Sequence, residues 1–353
     1  MIASETFVLA ADIGGTNARL ALAEVGAGQP DLLYAQDFRC RDFPNLRAVV
    51  GEFLSGAGRV SARMRPQAAA FAVAGPVGPA GADLPNAPWN VRLDDLGDLG
   101  LGPVRLLNDF EALAIGVAAL AEHDTPPIGP AMTGVAGAPR IVLGAGTGFG
   151  LAAMLGGVDA PTQVIAGEGG HVSFAPTDDM EIEILRRFRR WYGRVSVERL
   201  VSGPGLRILY LTLGQISGVY ADPDLTPEDI ATLGMRGRDD LCAQTLARFC
   251  AIFGSVAGDA ALTFGAQGGV FIAGGLANSI AAFLEASAFR ERFEAKGRLQ
   301  AYAAAIPTRR VAQAHTAVLG AARFAAAAMP EKERSVLTTL PETGFLRARS
   351  VSP

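Results

Sequence analysis

The chain has few of the residues that build disulfide frameworks and metal centres. Its 353 residues include 3 cysteines and 3 histidines. Cys40, Cys242 and Cys250 are odd in number and far apart, a pattern typical of buried thiols in a reducing compartment. No cysteine lies near His171 in the sequence, so a zinc site is not expected there.

Charged residues are also scarce, at 19% of the chain, and the formal net charge is −4. This balance argues against nucleic acid as the main partner, because proteins that bind it carry broad basic surfaces. No cationic segment leads into an apolar signal sequence and no apolar run reaches membrane-spanning length, so we expect a cytoplasmic protein with no membrane partner. Half of the residues are hydrophobic, and the length suits two domains around one cleft.

A glycine-rich turn interrupts an apolar region near the start of the chain. Residues 7–24 read as two strands joined by Gly14-Gly15-Thr16. One interpretation is an ordinary hairpin, in which the glycines only satisfy turn geometry. The other is a phosphate site, because converging backbone N–H groups and the Thr16 hydroxyl suit a phosphate and Asp12 is placed to hold Mg²⁺ through water.

A second turn of the same kind follows later, at Gly146-Thr147-Gly148 between the apolar residues 140–145 and 149–153. The repetition favours the phosphate interpretation and predicts duplicated halves that face each other across a nucleotide. No lysine follows the glycines, as a Walker loop requires. A strand follows the turn where a dinucleotide-binding fold needs a helix.

Strand and helix patterns are mixed along the chain, as in an α/β fold. Besides the hairpins, the patterns predict strands at 32–38, 68–73, 104–107 and 269–273, and helices at 45–57, 110–120, 177–192, 204–213, 226–233, 239–262 and 317–329. We expect a small domain of residues 1–119 plus 313–330, a larger domain of residues 120–312, and a poorly ordered tail of residues 331–353.

Polar residues stand where the predicted strand 104–107 becomes a helix. Asn108 is a residue type favoured at helix N-caps, and Glu111 follows three residues later, as in a variant of the capping box. Ligands of α/β sheets gather at the carboxyl ends of strands. Asp109 can therefore accept a proton from an attacking hydroxyl while Asn108 orients the same substrate, and the capping role is compatible with this.

Two further segments are candidates for binding polar ligands. Glu168 and His171 lie on a glycine-rich loop that suits a polyol, although a structural turn is the alternative. Glu198 is a weaker candidate, since its spacing alone suggests a surface charge. The predicted strand 269–273 stops at Gly274-Gly275, where a base or ribose can lie against bare backbone.

Taken in order, these motifs resemble those of the bacterial glucokinase family, a sugar-kinase branch of the actin-like ATPase fold. The resemblance covers about residues 7–324 and rests on segments 11–19, 107–110, 144–148, 167–172, 195–199, 202–206 and 269–275. It implies a two-domain actin-like fold with an interdomain cleft. It also implies phosphorylation of D-glucose on its 6-hydroxyl by ATP and Mg²⁺, the opening step of glycolysis, by a homodimer.

The resemblance also assigns roles to single residues. Asp109 matches the catalytic base and takes part in sugar binding with Asn108, Glu168, His171 and Glu198. The family's motif for binding the nucleotide phosphates matches Ala11, Asp12, Ile13, Gly14, Gly15 and Thr16, with Asp12 as the residue that holds magnesium. The resemblance implies that the nucleotide site is completed by Gly146, Thr147, Gly274 and Gly275.

The sequence departs from the family pattern at residues 85–89. The family's Thr-Asn-His-x-Trp reads Pro-Asn-Ala-Pro-Trp here, so Asn86 stays a sugar-binding candidate while the Thr and His are lost. A kinase for another hexose, such as mannose, fructose or an amino sugar, is therefore an alternative. A non-catalytic sugar sensor is a second one, although no helix-turn-helix segment precedes Phe7 and Asp109 is present.

Overall fold

The structure is a computed structural model and describes residues 6–26, 29–61, 63–84, 87–156 and 163–329. The chain divides into two compact units. One consists of Met1–Leu107 with Ala321–Pro353, and the other of Asn108–Gly320.

The first unit is built on a five-stranded sheet in the order β3-β2-β1-β4-β8. Its strands are β1 (Phe7–Ile13), β2 (Asn17–Glu24), β3 (Asp31–Arg39), β4 (Pro66–Val73) and β8 (Val104–Asn108), and a small second sheet holds β5 (Val77–Gly78), β6 (Gly81–Ala82) and β7 (Val91–Arg92). Strand β1 pairs antiparallel with β2 and parallel with β4. Being central, β1 is apolar almost throughout, as strands covered on both faces are.

One helix of this unit, α1 (Leu46–Val60), follows β3. Asn45 caps it, since its side-chain oxygen accepts a hydrogen bond from Ala48 N at 2.9 Å. Val49, Val50 and Phe53 recur at helical spacing and are fully buried in the core of the unit.

The second unit repeats this arrangement in a sheet of order β11-β10-β9-β12-β13. Its strands are β9 (Arg140–Ala145), β10 (Phe149–Leu155), β11 (Gln163–Gly167), β12 (Gly269–Ala273) and β13 (Thr308–Arg310). As in the first sheet, the leading strand β9 pairs antiparallel with its hairpin partner β10 and parallel with β12. The expected duplication of the two hairpin sheets is therefore confirmed.

The remaining helices belong to the second unit, except that the last part of α11, from Ala321 on, belongs to the first. They are α2 (Asp109–Val117), α3 (Asp179–Tyr192), α4 (Gly203–Ser217), α5 (Pro227–Met235), α6 (Asp240–Phe264), α7 (Gly275–Ser279), α8 (Ala281–Ala286), α9 (Phe289–Glu294), α10 (Gln300–Ala304) and α11 (Thr316–Ala327). Helix α6 has 25 residues and is apolar and long enough to cross a membrane, but 72% of its most apolar window is buried inside the structure. It is the central core helix of this unit.

Helix α2 packs in the second unit, although its sequence follows a strand of the first sheet. Its apolar residues join a core cluster with residues of β9, β10 and β12, among them Ala114, Val142, Ala152 and Phe271. The compact units thus divide at residues 107/108 and 320/321. The domain ranges given above stay a prediction, and the predicted tail of residues 331–353 lies outside the described residues.

Candidate active site

The residues Gly14-Gly15-Thr16 form the tight turn between β1 and β2 that the sequence predicts, and hydrogen bonds hold it in place. Gly14 N donates to Asn17 O at 2.9 Å, and Cys40 N donates to Thr16 O at 2.9 Å. The Cys40 thiol is buried, which raises its pKa, so it stays protonated and donates to Gly14 O at 3.4 Å. These contacts fix the turn from the side of β3. Ala11 and Ile13 lie buried in β1 before the turn.

Asp12 lies opposite Arg19 in the β1–β2 pair, and Arg19 Nη1 is 3.3 Å from Asp12 Oδ2. One carboxylate oxygen of Asp12 is therefore shared with a guanidinium. Among the residues that the structure describes, no group of three or more His, Cys, Asp or Glu could hold a metal ion.

The second hairpin turn is closed in a similar way. Gly146 N donates to Gly148 O, and Gly203 N donates to Gly146 O, both at 2.8 Å. Ala273 pairs with Gly144 across β12 and β9. Gly274 and Gly275 therefore follow β12 at the sheet edge where Gly146 and Thr147 follow β9.

Asn108 ends β8 and caps α2. Its side-chain oxygen accepts hydrogen bonds from Phe110 N at 2.9 Å and from Glu111 N at 3.3 Å, which confirms the predicted cap. Asp109 Oδ1 also accepts from Phe110 N, at 2.9 Å. The cap uses only the amide oxygen of Asn108. Burial raises the pKa of the Glu111 carboxyl. The hydrogen bond with the Asn108 backbone lowers this pKa by less, so the pKa lies above its usual value.

The residue after Asp109 docks on β10. The ring of Phe110 lies directly over Gly150, so closely that a methyl group at Gly150 would overlap with the ring. A larger residue at position 150 would therefore displace the first turn of α2. This contact sets where Asp109 lies relative to the second sheet.

Glu198 is held by the second hairpin. Its Oε2 accepts a hydrogen bond from Phe149 N at 2.8 Å. Gly148 leaves room for this, because a Cβ there would lie 2.6 Å from the same oxygen. Ser202 Oγ donates to Glu198 O at 2.8 Å, which fixes the backbone of the short 3-10 turn Val197–Arg199. Glu198 is half-buried, so it is more than a solvated surface charge.

Glu168 and His171 lie just after β11, whose last residue Gly167 pairs with Leu151 of β10. His171 N donates to Glu168 O at 3.0 Å, and the imidazole Nε2 is 4.0 Å from Glu168 Oε2. Both side chains are exposed and open to a ligand. Val197 N donates to Val172 O at 3.0 Å, so this turn lies beside the segment that carries Glu198.

The start of β10 thus gathers the sugar-site candidates of the second unit. Residues 148–151 contact or hydrogen-bond the segments that carry them, which are Asn108, Asp109, Glu168, His171 and Glu198. Asn86 lies outside the described residues. The roles of Phe149 N and Gly150 were not predicted from the sequence. The alternating glycines 146, 148 and 150 are the signal that could have indicated them.

Two sheets of identical order, each opening with a Gly/Thr hairpin, and a polar cluster at the second hairpin define a sugar kinase of the actin-like ATPase fold. A family model described as Glucokinase matches residues 9–328. A glucokinase from Caulobacter sp. (strain K31) is 45% identical over 317 residues, which cover 89% of this chain and 93% of that protein.

Solved structures agree with this similarity. A glucokinase from an Antarctic psychrotroph has a TM-score of 0.79 at 32% identity, over 90% of this chain and 98% of that one. A ROK-family glucokinase from Streptomyces griseus, solved with glucose and AMPPNP, shares the fold with a TM-score of 0.62 at 17% identity, over 90% of this chain and 99% of that one. The chain belongs to the glucokinase family.

Proposed function

We propose that this chain phosphorylates D-glucose on its 6-hydroxyl with Asp109 as the base. Family membership makes it an ATP-dependent glucose kinase. The observation that supports the proposed site is the convergence of five polar residues on the start of β10, described above. All five belong to one compact unit, and the segments that carry them meet at residues 148–151.

The division of roles follows from the hydrogen bonds already present. Glu168, His171 and the Asn108 amide orient the sugar hydroxyls. Glu198 Oε2 is bound to Phe149 N, so its other oxygen faces the sugar. Asp109 accepts the proton of the attacking hydroxyl. A carboxylate is a weak base for an alcohol, but phosphoryl transfer depends mainly on positioning and charge stabilisation.

We assign the phosphates of the donor to the glycine-rich hairpin turns, because backbone N–H groups that are not bonded within a turn can donate to phosphate oxygens. Ala11–Thr16 supplies the first turn and Gly146-Thr147 the second, and Gly274-Gly275 follow β12 at the same sheet edge as Gly146. Mg²⁺ is coordinated mostly by phosphate oxygens and water and needs one or two carboxylates. Asp12 is the carboxylate beside the first hairpin turn and would hold the ion, with the Arg19 guanidinium 3.3 Å from one of its oxygens. When bound, the ion neutralises phosphate charge.

The cellular setting of the enzyme is part of the same proposal. We expect it to work in the cytoplasm as a homodimer, with glucose and Mg·ATP as its ligands and no nucleic-acid or membrane partner. The formal net charge of −4 is consistent with the absence of a nucleic-acid partner.

The test is sugar-dependent release of ADP in a coupled assay with glucose, mannose, fructose and glucosamine. Glucose is expected to give the highest kcat/KM. Asp109→Ala should lower kcat at least about a hundredfold while glucose binding stays measurable by calorimetry, because a positioned base contributes about 10²–10⁴-fold. Asp95→Ala, an exposed carboxylate of the first unit, is the control. Turnover of Asp109→Ala close to that of the wild type would remove Asp109 from its role.

A further inference from the structure

We propose that Arg39 and Arg41 bind the phosphate chain of the nucleotide donor beside the first hairpin turn. The proposal rests on the proposed function, since it names the donor of that reaction. It adds two cationic side chains to a site otherwise made of backbone N–H groups and one acidic residue. Neither arginine belongs to the glycine-rich motif from which the phosphate site was predicted.

The two arginines are placed by the residue between them. Arg39 is the last residue of β3 and pairs with Asn17, directly after the turn. Cys40 is tied to the turn through its backbone N–H and its thiol, which donate to Thr16 O and Gly14 O. Its own carbonyl accepts a hydrogen bond from Trp89 Nε1 at 3.1 Å. The backbone on either side of Cys40 is therefore fixed close to Gly14–Thr16.

A cavity of about 680 Å³ opens at this point. It is lined within the first unit by Gly15, Thr16, Asn17, Arg39, Arg41, Ala87 and Pro88. Among the described residues that line it, the two arginines are the charged ones and none carries a carboxylate. A volume of several hundred Å³ is typical of small-molecule sites.

The charge of this cavity contrasts with that of the whole chain. The formal net charge is −4, so a phosphate ligand depends on local cations rather than on the field of the molecule. An acidic neighbour of Arg41 is Asp42, whose Oδ1 lies 3.7 Å from Arg41 Nε. Both side chains are largely exposed, so this pair is weak.

The chemistry of the two side chains selects the ligand. A guanidinium forms paired hydrogen bonds with phosphate oxygens. Two of them beside a turn rich in N–H donors suit adjacent phosphates rather than a sugar hydroxyl. The donor triphosphate and the sugar phosphate product both offer such oxygens. The position beside the first hairpin turn favours the donor.

The experiment compares the double variant Arg39→Ala/Arg41→Ala with Arg59→Ala/Arg65→Ala. The control removes the same charge from exposed positions of the same unit that do not line the cavity. We expect the first variant to raise KM for ATP at least about tenfold, because two charge-assisted contacts are lost, with KM for glucose unchanged. Arg39→Lys/Arg41→Lys should recover part of the loss, and the control should match the wild type.

Direct binding of AMPPNP by calorimetry, measured on the same variants, does not depend on turnover. If the wild type binds AMPPNP but releases no ADP with any sugar, the proposed function fails while the arginine proposal is still tested. Unchanged KM for ATP and unchanged AMPPNP affinity in the double variant would overturn the proposal. So would weaker inhibition by glucose 6-phosphate with an unchanged KM for ATP, since the arginines would then hold the product.

Discussion

At the scale of single residues, Gly150 leaves room for the ring of Phe110, the residue that follows Asp109. The Phe110 ring occupies the space in which a side chain at position 150 would lie. Phe110 follows Asp109 directly, and its N–H is bonded to both Asn108 and Asp109. A shift of the ring is therefore transmitted to the base through one peptide unit.

We predict that Gly150→Ala lowers kcat by about ten- to a hundredfold, since a displacement near 1 Å at a reacting group has an effect of this order. Phe110→Leu combined with Gly150→Ala should recover part of the activity, because the smaller side chain leaves room for the methyl group. Steady-state kinetics of both variants measures the effect.

Gly58→Ala is the matched control for this glycine, because a Cβ at Gly58 in α1 meets no atom within 4 Å. It should leave kcat unchanged. A Gly150→Ala enzyme with normal kcat and only reduced thermal stability would show that the Phe110 contact supports the fold and not the base.

The candidate residues differ in how well the sequence alone could identify them. Asn108 and Asp109 were predicted with their cap because the signal is local, within three residues of a strand end. The contact between Phe149 N and Glu198 joins residues 49 apart in sequence. The spacing of residues within a segment does not indicate a contact between segments so far apart. The local sequence around Glu198 therefore suggested only a surface charge.

At the level of elements, a buried ion network joins helices α3, α6 and α9 behind the turn that carries Glu168 and His171. Glu181 of α3 is fully buried, and its Oε1 accepts hydrogen bonds from Arg292 of α9 at 2.7 Å and Arg248 of α6 at 3.2 Å. Its Oε2 accepts from Thr177 N at 2.8 Å. Thr177 closes the segment that leads from His171 to α3.

Asp178 completes the network. Burial by itself would raise the pKa of this carboxyl, but the hydrogen bond from Glu181 N and the charges of Arg248 and Arg292 outweigh it and lower the pKa. Asp178 is thus ionised at neutral pH and caps α3 at the same time.

We predict that Arg292→Ala lowers the free energy of unfolding by about 3–5 kcal/mol, because it leaves the buried Glu181 carboxylate short of a partner. Urea denaturation measures the loss. Arg298→Ala, on an exposed turn, should change it by less than about 0.5 kcal/mol. An equal, small effect of both substitutions would contradict a stabilising role for the network.

An element could be predicted when its own residues carry the pattern that defines it, and not when it is defined by contacts with distant segments. The hairpin β1–β2 and the long helix α6 carry their own patterns of apolar residues and glycines, and both were predicted to within a few residues. Strand β11 has five residues, is mostly exposed and is defined by its pairing with β10, so its short apolar run was not enough to predict a strand. The packing of α2 likewise depends on distant strands.

At the scale of the whole molecule, the proposed sugar site and the first hairpin turn belong to different units. The sugar candidates that the structure describes lie in Asn108–Gly320, while the first hairpin turn, Arg39 and Arg41 lie in Met1–Leu107. Each unit has a hydrophobic core of its own. Ligands that contact different units should therefore stabilise different parts of the chain.

Hydrogen exchange measured by mass spectrometry tests this separation on the full chain. Glucose alone should slow exchange most strongly in residues 108–111, 148–151, 168–174 and 195–200, because a ligand that binds the folded form protects the segments it holds in place. AMPPNP alone should protect residues 14–17 and 39–41 in the first unit together with 146–148 in the second. Protection at 168–174 should fall in Glu198→Gln, since the turn and Glu198 would share the sugar. If glucose instead gave its strongest protection at residues 14–17, the sugar would bind at the first hairpin, and the assignment of Glu168, His171 and Glu198 would be wrong.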